Sequence, residues 1–134
     1  MSRLLLDTSA YSSLFRGDAE AREAVDQAQE VALSSIVLGE LLAGFARGKH
    51  RVKNERELEE FLAMPGVTIV EIGEETAKRY ATIVAGLRDA GTPIPTNDVW
   101  IAASAMQHGL EILSADAHFE RVKQVVVRRI GRSQ

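Results

Sequence analysis

The 134-residue chain contains no cysteine. Disulfide frameworks, thiolate zinc sites and cysteine nucleophiles are therefore excluded, and the composition suits a reducing cytoplasm. Only three prolines occur. No Gly/Ser- or Pro-rich linker and no internal repeat divides the sequence, so a single domain over residues 1–134 is expected, long enough to bury one substantial core. No run approaches the roughly 18 apolar residues of a membrane-spanning helix. Three leucines before Asp7 are too few for the apolar segment of a signal peptide, so a soluble, cytoplasmic protein without a membrane partner is expected. The formal net charge is −3. No global positive field marks a nucleic-acid binder, although local charge matters more than the sum.

What is present is an alternation of short apolar runs with longer stretches of helical period. RLLL reads as a strand, and Thr8 opens a helix with Thr8 or Ser9 available as N-cap. DAEAREAVDQAQ reads as a helix begun by Asp18, VALSSI as a second strand, and VLGELLAGFARG as a helix. HRVKNERELEEFLAM is a charged helix closed by Pro65-Gly66, and VTIVEI is a β-branched third strand. A helix from Glu74 to about Ala90 stops before Gly91, and GTPIPT is a loop. Thr96 is expected to cap a helix ending at Gly109. EILSAD, a helical turn carrying HFERV, and VVVRRI complete the chain. Strands alternating with helices, with strand runs apolar throughout, predict an α/β fold whose five-stranded sheet is mainly parallel and covered on both faces.

In open parallel sheets ligands bind beyond the carboxyl ends of the strands. Asp7 ends the first strand, Asp116 follows the fourth, and Glu40 lies early in the helix after the second. These three reach the carboxyl edge by construction. Asp98, just inside the helix from Thr96, joins them only if that helix starts at the same edge. It shares a face with Ala102, Ala105 and Gly109. Glu40 borders the apolar stripe of Val37, Leu38, Leu41, Leu42 and Phe45. Each carboxylate also has an ordinary reading: Asp98 as a helix-start charge, Asp116 as cap of the turn carrying His118, Glu40 as a solvated side chain, Asp7 as a strand end facing water. Taken together they suggest chemistry. Clustered carboxylates repel, and a divalent cation resolves the conflict. Mg²⁺ or Mn²⁺ bound by a few carboxylates suits phosphodiester hydrolysis by metal-activated water.

Four motifs, LLLDTSAY, GELLAG, TNDVWIAASA and SADAHF, occur in that order. In them the chain resembles the PIN-domain ribonucleases, and more narrowly the VapC toxins of toxin–antitoxin pairs, from Leu4 to about Val127. The resemblance implies a three-layer α/β/α PIN-like fold and an acidic cluster binding Mg²⁺ or Mn²⁺. It implies catalytic and metal-binding roles for Asp7, Glu40, Asp98 and Asp116, with Thr8, Ser9 and Ser114 as supporting hydroxyls. Threonine is common where Ser114 stands. The resemblance further implies a homodimeric endoribonuclease that cuts structured RNA, transfer RNA or a ribosomal RNA loop, and is held inactive by a cognate VapB-type antitoxin.

The run RGKHRVKNER offers Arg47, Lys49, Arg51 and Lys53, with His50 and Arg56, as candidate RNA phosphate contacts. The alternative is a solvated helix face pairing with Glu55, Glu57, Glu59 and Glu60 at helical spacing. Setting aside the four carboxylates shifts the balance from −3 to +1, so the remaining surface is close to neutral. His118 can act as a general base, but no partner is evident, and a packing or turn role is the simpler expectation. Trp100, Ile101 and Met106 read as core or dimer contacts, with no aromatic platform spaced for base stacking. A rival class, a non-catalytic metal-binding regulatory module with a phosphoacceptor in its acidic pocket, expects an aspartate ending the third strand. VTIVEI carries Glu71 there.

Overall fold

Leu4, Leu5 and Leu6 are all fully buried. Successive strand residues point to opposite faces, so a strand buried at every position must be covered on both sides. In the computed structural model, which describes residues 2–131, this strand is β1 (Arg3–Leu6), the centre of a five-stranded sheet. The chain continues through α1 (Thr8–Phe15), α2 (Ala19–Gln27), β2 (Glu30–Ser34), α3 (Ser35–Arg47), α4 (Arg51–Leu62) and β3 (Val67–Val70). It then runs through α5 (Glu74–Ala90), α6 (Thr96–His108), β4 (Glu111–Ser114), a 3-10 turn (Ala117–Arg121) and β5 (Val127–Arg129). The strand order is β3-β2-β1-β4-β5, and all four pairings are parallel. The α/β/α sandwich with a parallel five-stranded sheet is thus as expected, with strands two or three residues shorter than the apolar runs suggested at VTIVEI, EILSAD and VVVRRI.

Helix starts explain most of the differences in detail. Asp7, rather than Thr8 or Ser9, is the N-cap of α1: its backbone is extended and its carboxylate accepts from the Ala10 amide at 2.8 Å. Ser34 does the same for α3, accepting from the Val37 amide, and Asp18 caps α2 as expected. Thr96 is not a cap. It is the first residue of α6, Pro95 occupies the cap position, and no side chain supplies the missing bond. Proline fits just outside a helix because its fixed φ suits the entry and it has no amide to leave unpaired. Gly91 and Gly109 close α5 and α6 in the left-handed conformation, at φ 68° and 64°, which glycine adopts without a side-chain penalty.

The helices α5 and α6 run antiparallel, with Thr76 near the start of one bonded to Gln107 near the end of the other and Tyr80 stacked on Trp100. Trp100 is therefore spent on this helix pair, and Ile101 lies in the core. On the other flank Tyr11, Phe15 and Phe61 form one aromatic group joining α1 to α4. In α3, Val37 and Leu41 are buried, but Leu42 is 44% exposed and does not belong to the core stripe. The core is continuous from the central leucines through Ala32, Leu33, Ile112 and Leu113 to Ala102, Ala103 and Phe119.

Leu5 stands on the central strand with both faces of the sheet packed. Leu5→Ala is expected to lower the unfolding free energy by about 2–5 kcal/mol, the range for a buried leucine whose cavity cannot collapse. Urea denaturation of the purified protein measures it.

Candidate metal centre

The register of β1 against β4 sets the first contact. Leu6 lies opposite Leu113, so the next residues along, Asp7 and Ser114, emerge side by side at the carboxyl edge. Ser114 donates its hydroxyl hydrogen to Asp7 Oδ2 at 2.6 Å, Ser9 donates to the same carboxylate, and the Ala10 amide donates to Oδ1. The two hydroxyls are themselves fixed: Ser9 Oγ accepts from the Ala115 amide and Ser114 Oγ from the Asp116 amide. Three donors thus hold a buried carboxylate that offers about four acceptor positions, leaving one for another partner. Ser9 and Ser114 thus both donate to the Asp7 carboxylate.

Thr8 does something different. Its hydroxyl donates to Oε1 of Glu40, while the Asn97 side-chain amide donates to Oε2 at 3.1 Å. Glu40 is consequently held between the start of α1 and the start of α6. That contact also answers the question of where α6 begins: its first turn lies at the carboxyl edge, beside Asp7 and Glu40, and Asp98 comes with it.

Asp98 and Asp116 meet around His118. The ring Nδ1 lies 3.0 Å from Asp98 Oδ2 and 3.0 Å from Asp116 Oδ1. Asp116 also caps the 3-10 turn by accepting from the His118 amide. One ligand atom from each of Asp98, Asp116 and His118 falls within 4.8 Å of the others, a group able to hold a metal ion. Among the described residues no protein donor reaches the second oxygen of Asp98 or of Asp116. The expectation that His118 lacks a partner is therefore overturned. It faces two carboxylates because the short turn folds its side chain back over its own cap.

Sequence position alone puts Asp7, Glu40 and Asp116 at this edge and leaves Asp98 to the direction of α6; it assigns nothing to Asn97 and no partner to His118. Asn97 adjoins Asp98 on the first turn of α6, and only the tertiary approach of α3 gives it a role. His118 stands two residues after Asp116 in a segment too short for helical periodicity to orient it. Of the basic run, Arg51 pairs with Glu55 at 3.0 Å, the solvated helix pairing that spacing allowed. Arg47, Lys49 and Lys53 are exposed, and among the described residues no ion pair engages them.

Residues 4–125 match the PIN domain family. Ribonuclease VapC1 of Rickettsia felis is 33% identical over 134 residues, covering 96% of each chain. The chain belongs to the VapC family of PIN-domain ribonucleases. The fold agrees: DNA-bound VapBC from Salmonella typhimurium superposes with a TM-score of 0.84 at 24% identity, over 96% of this chain and 98% of that one. A toxin–antitoxin complex from Klebsiella pneumoniae superposes at 0.68 with 26% identity, over 95% and 99% of the two chains.

The electrostatics of this VapC-family site are those of a centre short of positive charge. Burial raises the Asp7 pKa above the ordinary 3.8, against the pull of its Ser114, Ala10 and Ser9 hydrogen bonds, and the nearby Asp116 raises it further. Asp98 is raised too, by burial first and then by Asp116 and Asp7, with His118 pulling the other way. Both groups bind protons more tightly in the folded chain than in the unfolded one. Without a cation, their contribution to stability is therefore greatest at acid pH and is lost as pH rises through the raised pKa values. Such a donor set, with oxygens hard enough for Mg²⁺ or Mn²⁺ and lone pairs not taken up by hydrogen bonds, fits a divalent ion.

In Asp7→Asn the side chain can still cap α1, since asparagine caps as well as aspartate, and one buried charge is gone. In chelator-treated protein the melting temperature of Asp7→Asn minus that of the wild type is expected to grow as pH rises from 4 toward 7. Thermal unfolding followed by circular dichroism across that range checks the sign; a difference that shrinks would show that the charged form of Asp7 is favoured by folding.

Proposed function

We propose that this chain, acting as a single PIN-like domain over residues 1–134, is a metal-dependent endoribonuclease that cuts structured RNA, such as transfer RNA or a ribosomal RNA loop. The observation that carries this reading is the convergence of Asp7, Glu40, Asp98 and Asp116 from four separate elements onto one edge of the sheet, within a VapC-family chain. These four side chains would hold Mg²⁺ or Mn²⁺. When bound, such an ion lowers the pKa of coordinated water and offsets the charge that develops on the phosphate during hydrolysis.

The chain's own residues then have distinct tasks. Ser9, Ser114 and the Ala10 amide fix the Asp7 carboxylate and leave one acceptor position open to an ion. Thr8 and Asn97 hold both oxygens of Glu40, which keeps a long, rotatable side chain from swinging into solvent. Asp98 and Asp116 present their free oxygens at the mouth of the site. Arg47, Lys49 and Lys53, exposed at the end of the Glu40 helix, just after it or on the next one, are suited to contact RNA phosphates, with Arg51 joining them if it exchanges Glu55 for phosphate.

The setting that fits this reading is a homodimeric toxin in the cytoplasm restrained by a cognate VapB-type antitoxin; the chain's likeness to VapBC and toxin–antitoxin complexes supports the antitoxin. Partner surfaces of that kind need exposed apolar area. Phe15, within the aromatic group of α1 and α4, and Leu42 on α3 are exposed, and an opening between α5 and α6 is lined by Tyr80, Val84, Leu87, Ile94 and Val99. The regulatory phosphoacceptor reading lacks support. Its key strand is β3, which lies at the sheet edge, separated from β1 by β2 and followed by an exposed Glu71.

Purified protein free of antitoxin should cleave transfer or ribosomal RNA with Mg²⁺ or Mn²⁺ and stop on addition of EDTA. Asp98→Asn should reduce the rate at least about 100-fold, and Asn97→Ala, which only releases Glu40, about tenfold. Cleavage that survives both EDTA and Asp98→Asn would place the activity elsewhere.

A further inference from the structure

The four-carboxylate reading leaves His118 without a task, yet His118 is the residue that touches two of the four. We infer that His118 Nδ1 is itself a ligand of the metal, making the Asp98–Asp116 side of the site a mixed oxygen and nitrogen centre that takes a divalent transition ion in preference to Mg²⁺. The inference rests on the metal-binding reading above and deepens it.

Geometry is the first support. Atoms bound about 2.1 Å from a common ion at right angles lie about 3 Å apart. The separations from Nδ1 to Asp98 Oδ2 and to Asp116 Oδ1 are both 3.0 Å. His118 Nδ1 thus stands at the spacing of a neighbouring ligand from each carboxylate oxygen, and the three ligand atoms all fall within 4.8 Å of one another.

Restraint of the ring is the second. The His118 backbone amide donates to Asp116 Oδ1 at 2.8 Å, so the main chain of the histidine is tied to one of its fellow ligands. Phe119, next in the chain, is fully buried and anchors the turn in the core. The imidazole thus projects from a fixed backbone, and its side chain remains about one-third exposed, at 36%. That exposure leaves room for an ion and its waters.

Chemistry gives the preference. Mg²⁺ takes oxygen ligands almost exclusively and gives up water reluctantly, whereas an imidazole nitrogen suits first-row transition ions. Replacing one oxygen in the shell with nitrogen therefore moves selectivity away from Mg²⁺. Mn²⁺ is the natural probe, because it retains affinity for carboxylates and its electron spin reports directly bound nitrogen.

The test uses untagged protein with Mn²⁺ and with Mg²⁺, for wild type, His118→Ala and His118→Asp. Calorimetric titration is expected to show wild-type binding of Mn²⁺ tighter than of Mg²⁺. His118→Ala should weaken Mn²⁺ at least about tenfold with a smaller effect on Mg²⁺, and His118→Asp should restore binding while narrowing the preference. Spin-echo modulation of bound Mn²⁺ should show a nitrogen coupling in wild type that disappears in His118→Ala. Circular dichroism of the metal-free variants checks that the fold is kept. Mn²⁺ bound without nitrogen coupling, or with an unchanged preference in His118→Ala, overturns the ligand assignment and leaves the nuclease reading standing. Failure of the wild type to bind either ion overturns both.

Discussion

The parallel pairing of β1 with β4 is the constraint on which the site depends. Its register brings Asp7 alongside Ser114, and every later contact is built outward from that pair. The Asp7 carboxylate caps α1, accepts from β4 through Ser114, and through Ser9 is linked to the amide of Ala115. A shift of one residue would turn each strand side chain to the opposite face and separate Asp7 from Ser114. The leucines that hold the register do so because they are buried on both sides of the sheet, so core packing and site geometry are one problem.

A second constraint opposes the first. Packing draws carboxylates into a region where water cannot fully solvate them, and their neighbours carry the same charge. The raised pKa values of Asp7 and Asp98 express that conflict. Hydrogen bonds relieve it in part: three donors on Asp7, two on Glu40, and the His118 ring between Asp98 and Asp116. What remains unrelieved is the affinity of the site for a cation. Stability of the empty protein and affinity for the ion thus draw on the same electrostatic strain, and a substitution that removes a buried charge acts on them in opposite directions.

Much of this was legible in the amino-acid order. Strand ends locate residues at an edge without tertiary information, which is why Asp7, Glu40 and Asp116 could be gathered before any coordinates. Asp98 needed the direction of α6, and the contact of Asn97 with Glu40 supplied it. The misreadings share a cause. Capping preference alone cannot choose among Asp7, Thr8 and Ser9, three residues able to cap, and the choice fell to Asp7 because Thr8 faces Glu40 and Ser9 faces β4. Leu42 fits the helical period of a core stripe, yet the stripe narrows where α3 runs past its neighbours. His118 sits in a turn of five residues, where no periodicity operates and only the fold of the turn itself sets direction.

The four carboxylates are spread along the chain, and the last two lie beyond α5. During synthesis on the ribosome, a nascent chain that has emerged only as far as α5 carries Asp7 and Glu40 alone. Even with α6 exposed it lacks Asp116, and β4 has not yet arrived to fix Asp7. Assembly of the site is therefore a late event in making the protein rather than an early one, and a polypeptide that has not reached Asp116 cannot hold all four carboxylates.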